Sequence, residues 1–369
     1  MNRVLIKKAD YEYDILKPLV FEMMDALGGK QINKDSLVII KPNLLAAAAP
    51  DKAVVTHPLL IKAVVEYVNE RDVRPRVSDS PAIGSFKKIL SESGIADALS
   101  GLEADCREFQ EAVEIDVGKP FNRIEIAREA VESDFLINLP KLKTHAQMKL
   151  TLGVKNLFGC IIGMKKPEWH LRAGVDREMF ADLLARISKS VKPDITIMDG
   201  ILAMEGQGPG KGGTPRTLGL ILGSRNPIAV DIAVCKMLGL DPDSLLTNKM
   251  SHLNGPAIED ITIEGELPEI SGFALPEISP AVFGPSVMHG FIRKHLVQRP
   301  VSDTSLCKMC GECWTYCPAH AITHDKKEIY FDYDRCIRCY CCLEVCPHGA
   351  LKAKETMPGS VARKILRIR

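Results

Sequence analysis

The chain has 369 residues, 46% of them hydrophobic, with 48 Lys and Arg against 47 Asp and Glu and a formal net charge of +1. That length exceeds one ordinary core and fits two or three domains. The near-cancelling charge argues against bulk attraction to nucleic acid or an anionic membrane surface, so no nucleic-acid partner is expected. No run approaches roughly 18 uninterrupted apolar residues, so no membrane span is expected. The opening MNRVLIKKADYEYD has no long apolar core or small-residue cleavage site and reads as a strand, which makes the expected compartment the cytoplasm.

In chain order, strand-like apolar runs alternate with helical patterns. RVLIKKA is followed by DILKPLVFEMMDALGG, with a glycine stop; SLVIIKPNLL by HPLLIKAVVEYVNER; RPRVSDSPAIG by SFKKILSESGIADALS. DFLINLP, KLTLGVKNLFGCII, MFADLLARISKSV, DITIMDG, TLGLILG and PIAVDIAVCKMLG come after. This alternation predicts an α/β fold, a mostly parallel sheet with helices on both faces. Near-continuous runs such as LVIIK fit strands covered on both sides. The proline-rich stretch 255–300 reads as the last strands and a connection, with VMHGFIRKHLVQRP a linking helix. The expected division is an α/β domain over 1–285, a linker helix over 286–302, a small α+β module over 303–353 and a basic tail over 354–369.

Polar motifs fall at the downstream ends of these strands: KPN (41–43), SDSP (78–81), LPKLKTH (139–145), DG (199–200) and SRNP (224–227). In an open parallel sheet such ends share one edge, and ligands bind in the crevice there. Polar turn residues follow any buried strand, but lysine and histidine are not turn formers. The densest stretch, NLPKLKTHAQMKLTLGVKNLFG (138–159), carries Lys141, Lys143, His145, Lys149 and Lys155, and Lys41 of KPN is placed to join them. Two ammonium groups ~6 Å apart repel by about 3 kcal/mol at an effective dielectric of 20. A folded site tolerates that only with a bound anion or a nearby carboxylate; otherwise the lysines splay into water. His145 and His57 are the acid–base candidates, because an unperturbed histidine titrates near pH 6.5, and His170 is a weaker one. Thr56-His57-Pro58 also reads as a helix N-cap, and Asp79 as a turn cap.

GPGKGG (208–213) satisfies G-x-G-x-x-G in letters only, since a strand is expected after it rather than a helix; a lid over the crevice fits it better. Cys106, Cys160 and Cys235 are isolated.

Nine of the twelve cysteines fall between 307 and 346, which in a chain this long favours metal over disulfides. CKMCGECWTYCPAHAI (307–322) and CIRCYCCLEVCPHGAL (336–351) both read C-x2-C-x2-C-x3-C-P, an internal repeat. Three thiolates at that spacing wrap three corners of one cubane, and the fourth leaves in a short turn toward the partner cluster. One 4Fe–4S cluster would therefore take Cys307, Cys310, Cys313 and Cys346, the other Cys336, Cys339, Cys342 and Cys317. Cys341 breaks the spacing and reads as a spare.

This block resembles the bacterial-type ferredoxin with two 4Fe–4S clusters over about residues 303–353, which implies low-potential electron transfer. KPNLL (41–45), THP (56–58), DSPAIG (79–84), PKLKTHAQMKLTLGVKNLFG (140–159), MDGILAMEGQGP (198–209) and AVD (229–231) resemble the domain of unknown function 362 family, over roughly residues 35–240. Members of that family often carry a ferredoxin domain; the resemblance implies organisation and site position rather than a reaction.

The expected function is an iron–sulfur oxidoreductase relaying electrons through two clusters to or from an anionic substrate or cofactor in the crevice. Lys41, Asn43, Asp79, Ser80, Lys141, Lys149, Lys155 and Asn156 would hold the anion, and Lys143, His145 and His57 would act on it. A ferredoxin-type donor or other redox partner protein is implied. A flavin stays open, with no motif to indicate one. The alternatives are a non-catalytic electron carrier or cofactor-assembly factor docking a partner, and a transferase whose clusters only brace the fold.

Overall fold

The computed structural model describes residues 2–163, 165–174, 176–253, 261–276, 295–359 and 361. Its first part is built on β1 (Arg3–Lys8), β2 (Val38–Pro42), β3 (Arg76–Val77), β4 (Asp105–Cys106), the hairpin β5 (Ala112–Gly118) and β6 (Asn122–Ala127), β7 (Phe135–Leu139), β8 (Lys141–His145), β9 (Lys149–Thr151), β10 (Ile195–Gly206), β11 (Gly213–Ser224) and β12 (Thr262–Glu264). Apart from the hairpin these form one sheet, ordered β12-β1-β11-β10-β7-β2-β3-β4, with β8 paired to β10 and β9 to β8. The run β10-β7-β2-β3-β4 is parallel throughout, and so are β1–β12 and β10–β8. The pairs β1–β11, β10–β11 and β8–β9 are antiparallel. The sheet is therefore mixed and mostly parallel.

Every residue of β2 and β7 is buried, as their mostly apolar sequences favour, with Lys41 and Asn138 the polar exceptions. The pleat sends alternate side chains to opposite faces. Ile40 and Ile137 pack with Leu16, Val20, Leu60 and Val64 of the helices Tyr13–Leu27 and Pro58–Asn69, whereas Ile39 and Leu136 pack with Phe180, Leu184 and Ile187 of the helix Arg177–Val191. Helices thus cover both faces. Each such buried aliphatic side chain contributes about 1.5–3 kcal/mol relative to exposure. The helix Tyr13–Leu27 stops at Gly28, whose φ of 106° suits a residue without a Cβ.

The parallel run puts the ends of β2, β3 and β7 on one edge, so KPN, SDSP and PKLKTH meet as the sequence suggests. Two motifs do not follow that rule. Asp199-Gly200 lies inside the 12-residue β10 rather than after it. Because β10 runs on past the end of β7, Asp199 sits opposite Lys141 and still belongs to this edge. The segment Ser224–Pro227 follows β11, which runs antiparallel to β10, and so ends up at the opposite edge. GPGKGG is the turn joining β10 to the antiparallel β11, a context that cannot open a dinucleotide-binding helix.

The family-like AVD motif is structural. Asp231 is fully buried, and its carboxylate accepts hydrogen bonds from Gly153 N (2.7 Å) and Val154 N (3.1 Å) at the start of the short helix Gly153–Asn156. A Cβ on Gly153 would lie 2.9 Å from that carboxylate, so glycine is required there.

The cysteine-rich module contains the pairs Arg299–Ser302 with Leu351–Lys354 and Ile322–His324 with Ile329–Phe331, plus short helices Glu312–Thr315 and Cys341–Val345. Its two ends pair with each other, so the expected linker helix cannot extend to 302, and the module starts earlier than 303. Most of that linker lies outside the described residues, as does most of the basic tail. The sequence repeat is also a structural one. Asp303 N donates to Ala350 O and Asp332 N to Ala321 O (2.8 Å each), while Ala321 N donates to Cys317 Sγ and Ala350 N to Cys346 Sγ (3.3 Å each). Among the described residues no helix is long and apolar enough to cross a membrane.

The buried Lys141–Asp199 pair (2.8 Å) ties β8 to β10. Asp199 also accepts hydrogen bonds from Tyr11 Oη (2.7 Å) and His57 N (2.9 Å). Breaking a buried pair from one side strands the other charge, at a cost of about 3–5 kcal/mol. Asp199→Ala should lose that much in denaturant unfolding, and Asp199→Leu combined with Lys141→Met should lose clearly less.

Candidate active site

The sheet edge brings four lysines together but treats them differently. Lys41 is fully buried and pairs with Asp79 at 2.9 Å; Lys141 is fully buried and pairs with Asp199. Asp79 is held in turn by Leu44 N (2.8 Å) and Ser80 N (2.9 Å), which is the turn-capping role. Room for the Lys41–Asp79 pair depends on Gly159: a Cβ there would clash with the Asp79 carboxylate and stand 2.5 Å from Lys41 Nζ.

Lys143 has no such carboxylate. Its ammonium donates to Asn43 Oδ1 (2.7 Å) and Val54 O (2.8 Å), both neutral. Asn43 Nδ2 donates to Asn156 Oδ1 (2.8 Å), Asn156 Nδ2 to Asn138 Oδ1 (2.8 Å), and Asn138 Nδ2 to Gly153 O (3.0 Å). The amide orientations follow from the direction of this chain, which anchors Lys143 to the helix that Asp231 caps. Burial first, and the Lys155 charge second, bring the Lys143 ammonium down to about 7. Lys155 sits at the same wall and makes no ion pair within 4 Å among the described residues; burial lowers it as well, against the pull of Glu344.

His145 is fully buried. Its Nδ1 accepts from Gln147 N (3.1 Å) and Met148 N (3.2 Å), which leaves the proton on Nε2. That nitrogen faces Glu344 Oε1 of the cysteine module at 2.8 Å, off the line of a straight hydrogen bond. Burial and then Lys155 hold His145 down to about 4, so it is neutral at pH 7. Burial pushes the Glu344 carboxyl up, but His145 and Lys155 outweigh it and keep it below the usual carboxylate range.

These groups wall one cavity of about 300 Å³. Of the expected residues, Asn43, Asp79, Ser80, Lys143, His145, Lys155 and Asn156 line it. Lys41 and Lys141 stand outside the lining, each committed to its carboxylate. Lys149 also stands outside it. His57 is elsewhere: it caps the helix Pro58–Asn69 through Nδ1 (3.3 Å to Leu59 N) and stacks on Tyr11 at 3.5 Å between ring centroids. Burial takes it down to about 4. The N-cap reading of His57 describes its place, and nothing brings it to the cavity.

Several wall residues were not legible beforehand. Lys166, brought down to about 8 chiefly by burial, donates to Ser80 O. The weakly favoured His170 lies in the wall, and its Nδ1 and the Thr151 Oγ1 there have no hydrogen-bond partner among the described residues. The cysteine module contributes Tyr316, Cys341, Glu344 and Val345. Pro209 of the Gly-rich turn completes the rim, and Gly210 packs so closely on the helix Cys341–Val345 that a Cβ would lie 3.2 Å from Glu344 O. That turn is a packed joint between the two parts rather than a free lid.

Within the module, Cys307, Cys310, Cys313 and Cys346 line one small cavity with Met309, Trp314 and Leu351. Burial raises the Cys342 thiol, and Cys339, Cys336 and Cys317 act on it next. We propose that the two clusters are held by the crosswise quartets that the spacing suggests. Four thiols around an apolar hollow, with N–H···S bonds to Cys317 and Cys346, fit a 4Fe–4S cluster, whose sulfurs accept such bonds.

The two parts define an α/β domain joined to an iron–sulfur electron-transfer module. The chain belongs to the family described as "Domain of unknown function (DUF362)", which matches residues 38–236, and residues 306–350 match the 4Fe–4S dicluster domain. It is 34% identical over 308 residues to "Thylakoid-associated protein sll1697" of Synechocystis, covering 81% of this chain and 95% of that protein. Over 59 residues it is 37% identical to "Pyruvate synthase subunit PorD" of Methanocaldococcus jannaschii, covering 15% of this chain and 69% of that one. The fold has a distant likeness (TM-score 0.40, 15% identity, 61% of this chain and 54% of the other) to the lactate racemase apoprotein from Thermoanaerobacterium thermosaccharolyticum.

Crosswise ligation makes a specific prediction. Cys317→Ala should cost the cluster of the second half although Cys317 lies in the first, and Cys346→Ala the reverse. Iron analysis with electron paramagnetic resonance should show about half the iron and one remaining signal, differing between the two variants.

Proposed function

We propose that this chain is an oxidoreductase in which the dicluster module exchanges electrons with a small anionic substrate bound in the shared cavity. The observation that carries this reading is the composition of the cavity wall: the crevice lysines Lys143 and Lys155 share it with the helix Cys341–Val345, which contains the expected cluster ligand Cys342. Bound clusters supply single electrons; a ferredoxin-type donor or another redox partner protein would load them.

The residues of the chain do the rest. Lys143, held only by neutral oxygens, offers the positive charge that a carboxylate or phosphate needs, and Lys155 adds a second that it shares with Glu344, in a site largely shut off from water, where such attraction is strong. Asn43 and Asn156 fix the Lys143 ammonium at one point. His145 presents Nε2–H at the wall as a hydrogen-bond donor that can orient a bound anion while Nδ1 stays held by backbone N–H groups. Thr151 Oγ1 and His170 Nδ1 are polar atoms awaiting a partner, and a ligand would supply one.

Lys143→Ala should abolish turnover while leaving chemical reduction of the clusters unchanged; a variant that keeps full turnover contradicts the proposal. The pH dependence has a definite sign. The free site loses the Lys143 proton near pH 7, whereas an unfolded lysine keeps its proton to about 10.4. Between those values the unfolded chain binds more protons, so this group makes stability rise with pH. Anion affinity runs the other way, because it needs the ammonium. Calorimetric binding of small carboxylates and phosphate should weaken by up to about tenfold per pH unit above pH 7, and Lys143→Met should flatten that dependence.

A further inference from the structure

Lys166 is another buried lysine of the cavity wall, and the proposed function leaves it without a task. It is 8% exposed, and its ammonium, with three N–H donors, makes one hydrogen bond among the described residues, to the neutral Ser80 O. No carboxylate of a described residue lies within 4 Å of it. Burial brings it down to about 8 against the pull of Asp79, so it still carries its charge at pH 7. Glu108 lines the same cavity, half-buried and without an ion pair among the described residues. Burial holds its carboxyl above the usual range, against the pull of Lys166. Lys166 thus keeps donors to spare.

Lys143 and Lys166 are anchored at two different places, Lys143 on Asn43 and Lys166 on Ser80. The Asp79 carboxylate stands between these anchors. Its Oδ2 accepts from Leu44 N, next to Asn43, and its Oδ1 from Ser80 N. Lys41 takes that carboxylate by contact, so it pairs with neither cavity lysine. A second stretch of chain spans the same interval: Asn156 Oδ1 accepts from Asn43 Nδ2, Gly159 O from Ser80 N (3.2 Å), and Gly163 N donates to Ser80 Oγ (3.0 Å). The lining residues that follow Asn43 and Asn156 along these stretches, Leu44, Leu45 and Phe158, are apolar.

We propose that Lys166 forms a second anion subsite and that the cavity takes a small dianion of the dicarboxylate kind: one anionic group at Lys143, the other at Lys166, and a short apolar body against Leu44, Leu45 and Phe158. The inference rests on the proposed function for the Lys143 subsite and adds the substrate class. Two charges on one molecule meet both ammonium groups while translational and rotational freedom is lost only once, so the second contact adds almost its full strength.

The test is calorimetric binding at pH 7 to the full, cluster-loaded chain. The probes are the linear dicarboxylates from propanedioate to hexanedioate, each against the monocarboxylate of the same chain length. At the best length the dicarboxylate should bind about tenfold tighter or more, the gain expected from one further charged hydrogen bond. Lys166→Met, checked for folding by its melting transition, should remove that preference and leave monocarboxylate binding in place; Lys166→Arg should regain part of it. Lys143→Met should weaken both probes. The parent comparison needs no variant: if no dicarboxylate outbinds its monocarboxylate, the second subsite is overturned. A preference that survives in folded Lys166→Met overturns it too. Monocarboxylates that bind through Lys143 with no gain for any dicarboxylate would remove this inference and leave the proposed function standing, whereas failure of both kinds of probe to bind would count against the two together.

Discussion

Burying lysine is costly, and this sheet edge does it repeatedly. An isolated ammonium removed from water must be paired, lose its proton or find a ligand. Lys41 and Lys141 take the first course, with Asp79 and Asp199. Lys143 takes a mixture of the other two: neutral oxygens hold it, burial lowers its proton affinity, and open space lies in front of it. The paired lysines stiffen the edge; in the proposed function Lys143 would meet the ligand. The amide chain from Asn43 to Asn138 makes sense in that light, since a charge meant to meet a ligand must be held in place when none is bound.

The second constraint comes from the other module. Glu344 enters the basic end of the crevice and meets His145, while the Gly-rich turn 206–213 packs on the same short helix. The cavity is thus incomplete without the module, and its wall includes residues a step or two from cluster ligands. In the proposed function, electron transfer and substrate binding would be brought together by the docking of one five-residue helix.

Much of this was legible in the sequence. The cysteine repeat names a dicluster module because the spacing of thiolates around a cubane is rigid. KPN, DSP and PKLKTH name the crevice because parallel strands share an edge. Other features were hidden for physical reasons. Whether a lysine faces a carboxylate depends on register across β8 and β10, which neither sequence contains alone, so Lys141 and Lys143 look equivalent. The strand direction of β11 put SRNP at the far edge, since an apolar run reads the same in either direction. Glu344 occupies a variable slot of the cysteine motif, and only the docking of the modules shows what it touches. His57 carried two readings, and the stack on Tyr11 with the cap on Leu59 N decides its location.

The sharpest test asks whether an anion bound beside Lys143 lies next to a cluster. Electron–nuclear double resonance on the reduced, cluster-loaded chain, equilibrated with isotope-labelled carboxylate or with phosphate, reads that distance directly. The shared cavity predicts hyperfine coupling from the bound anion to the cluster of the second half, lost in Lys143→Ala. An anion that binds in a Lys143-dependent way without coupling to either cluster would contradict it.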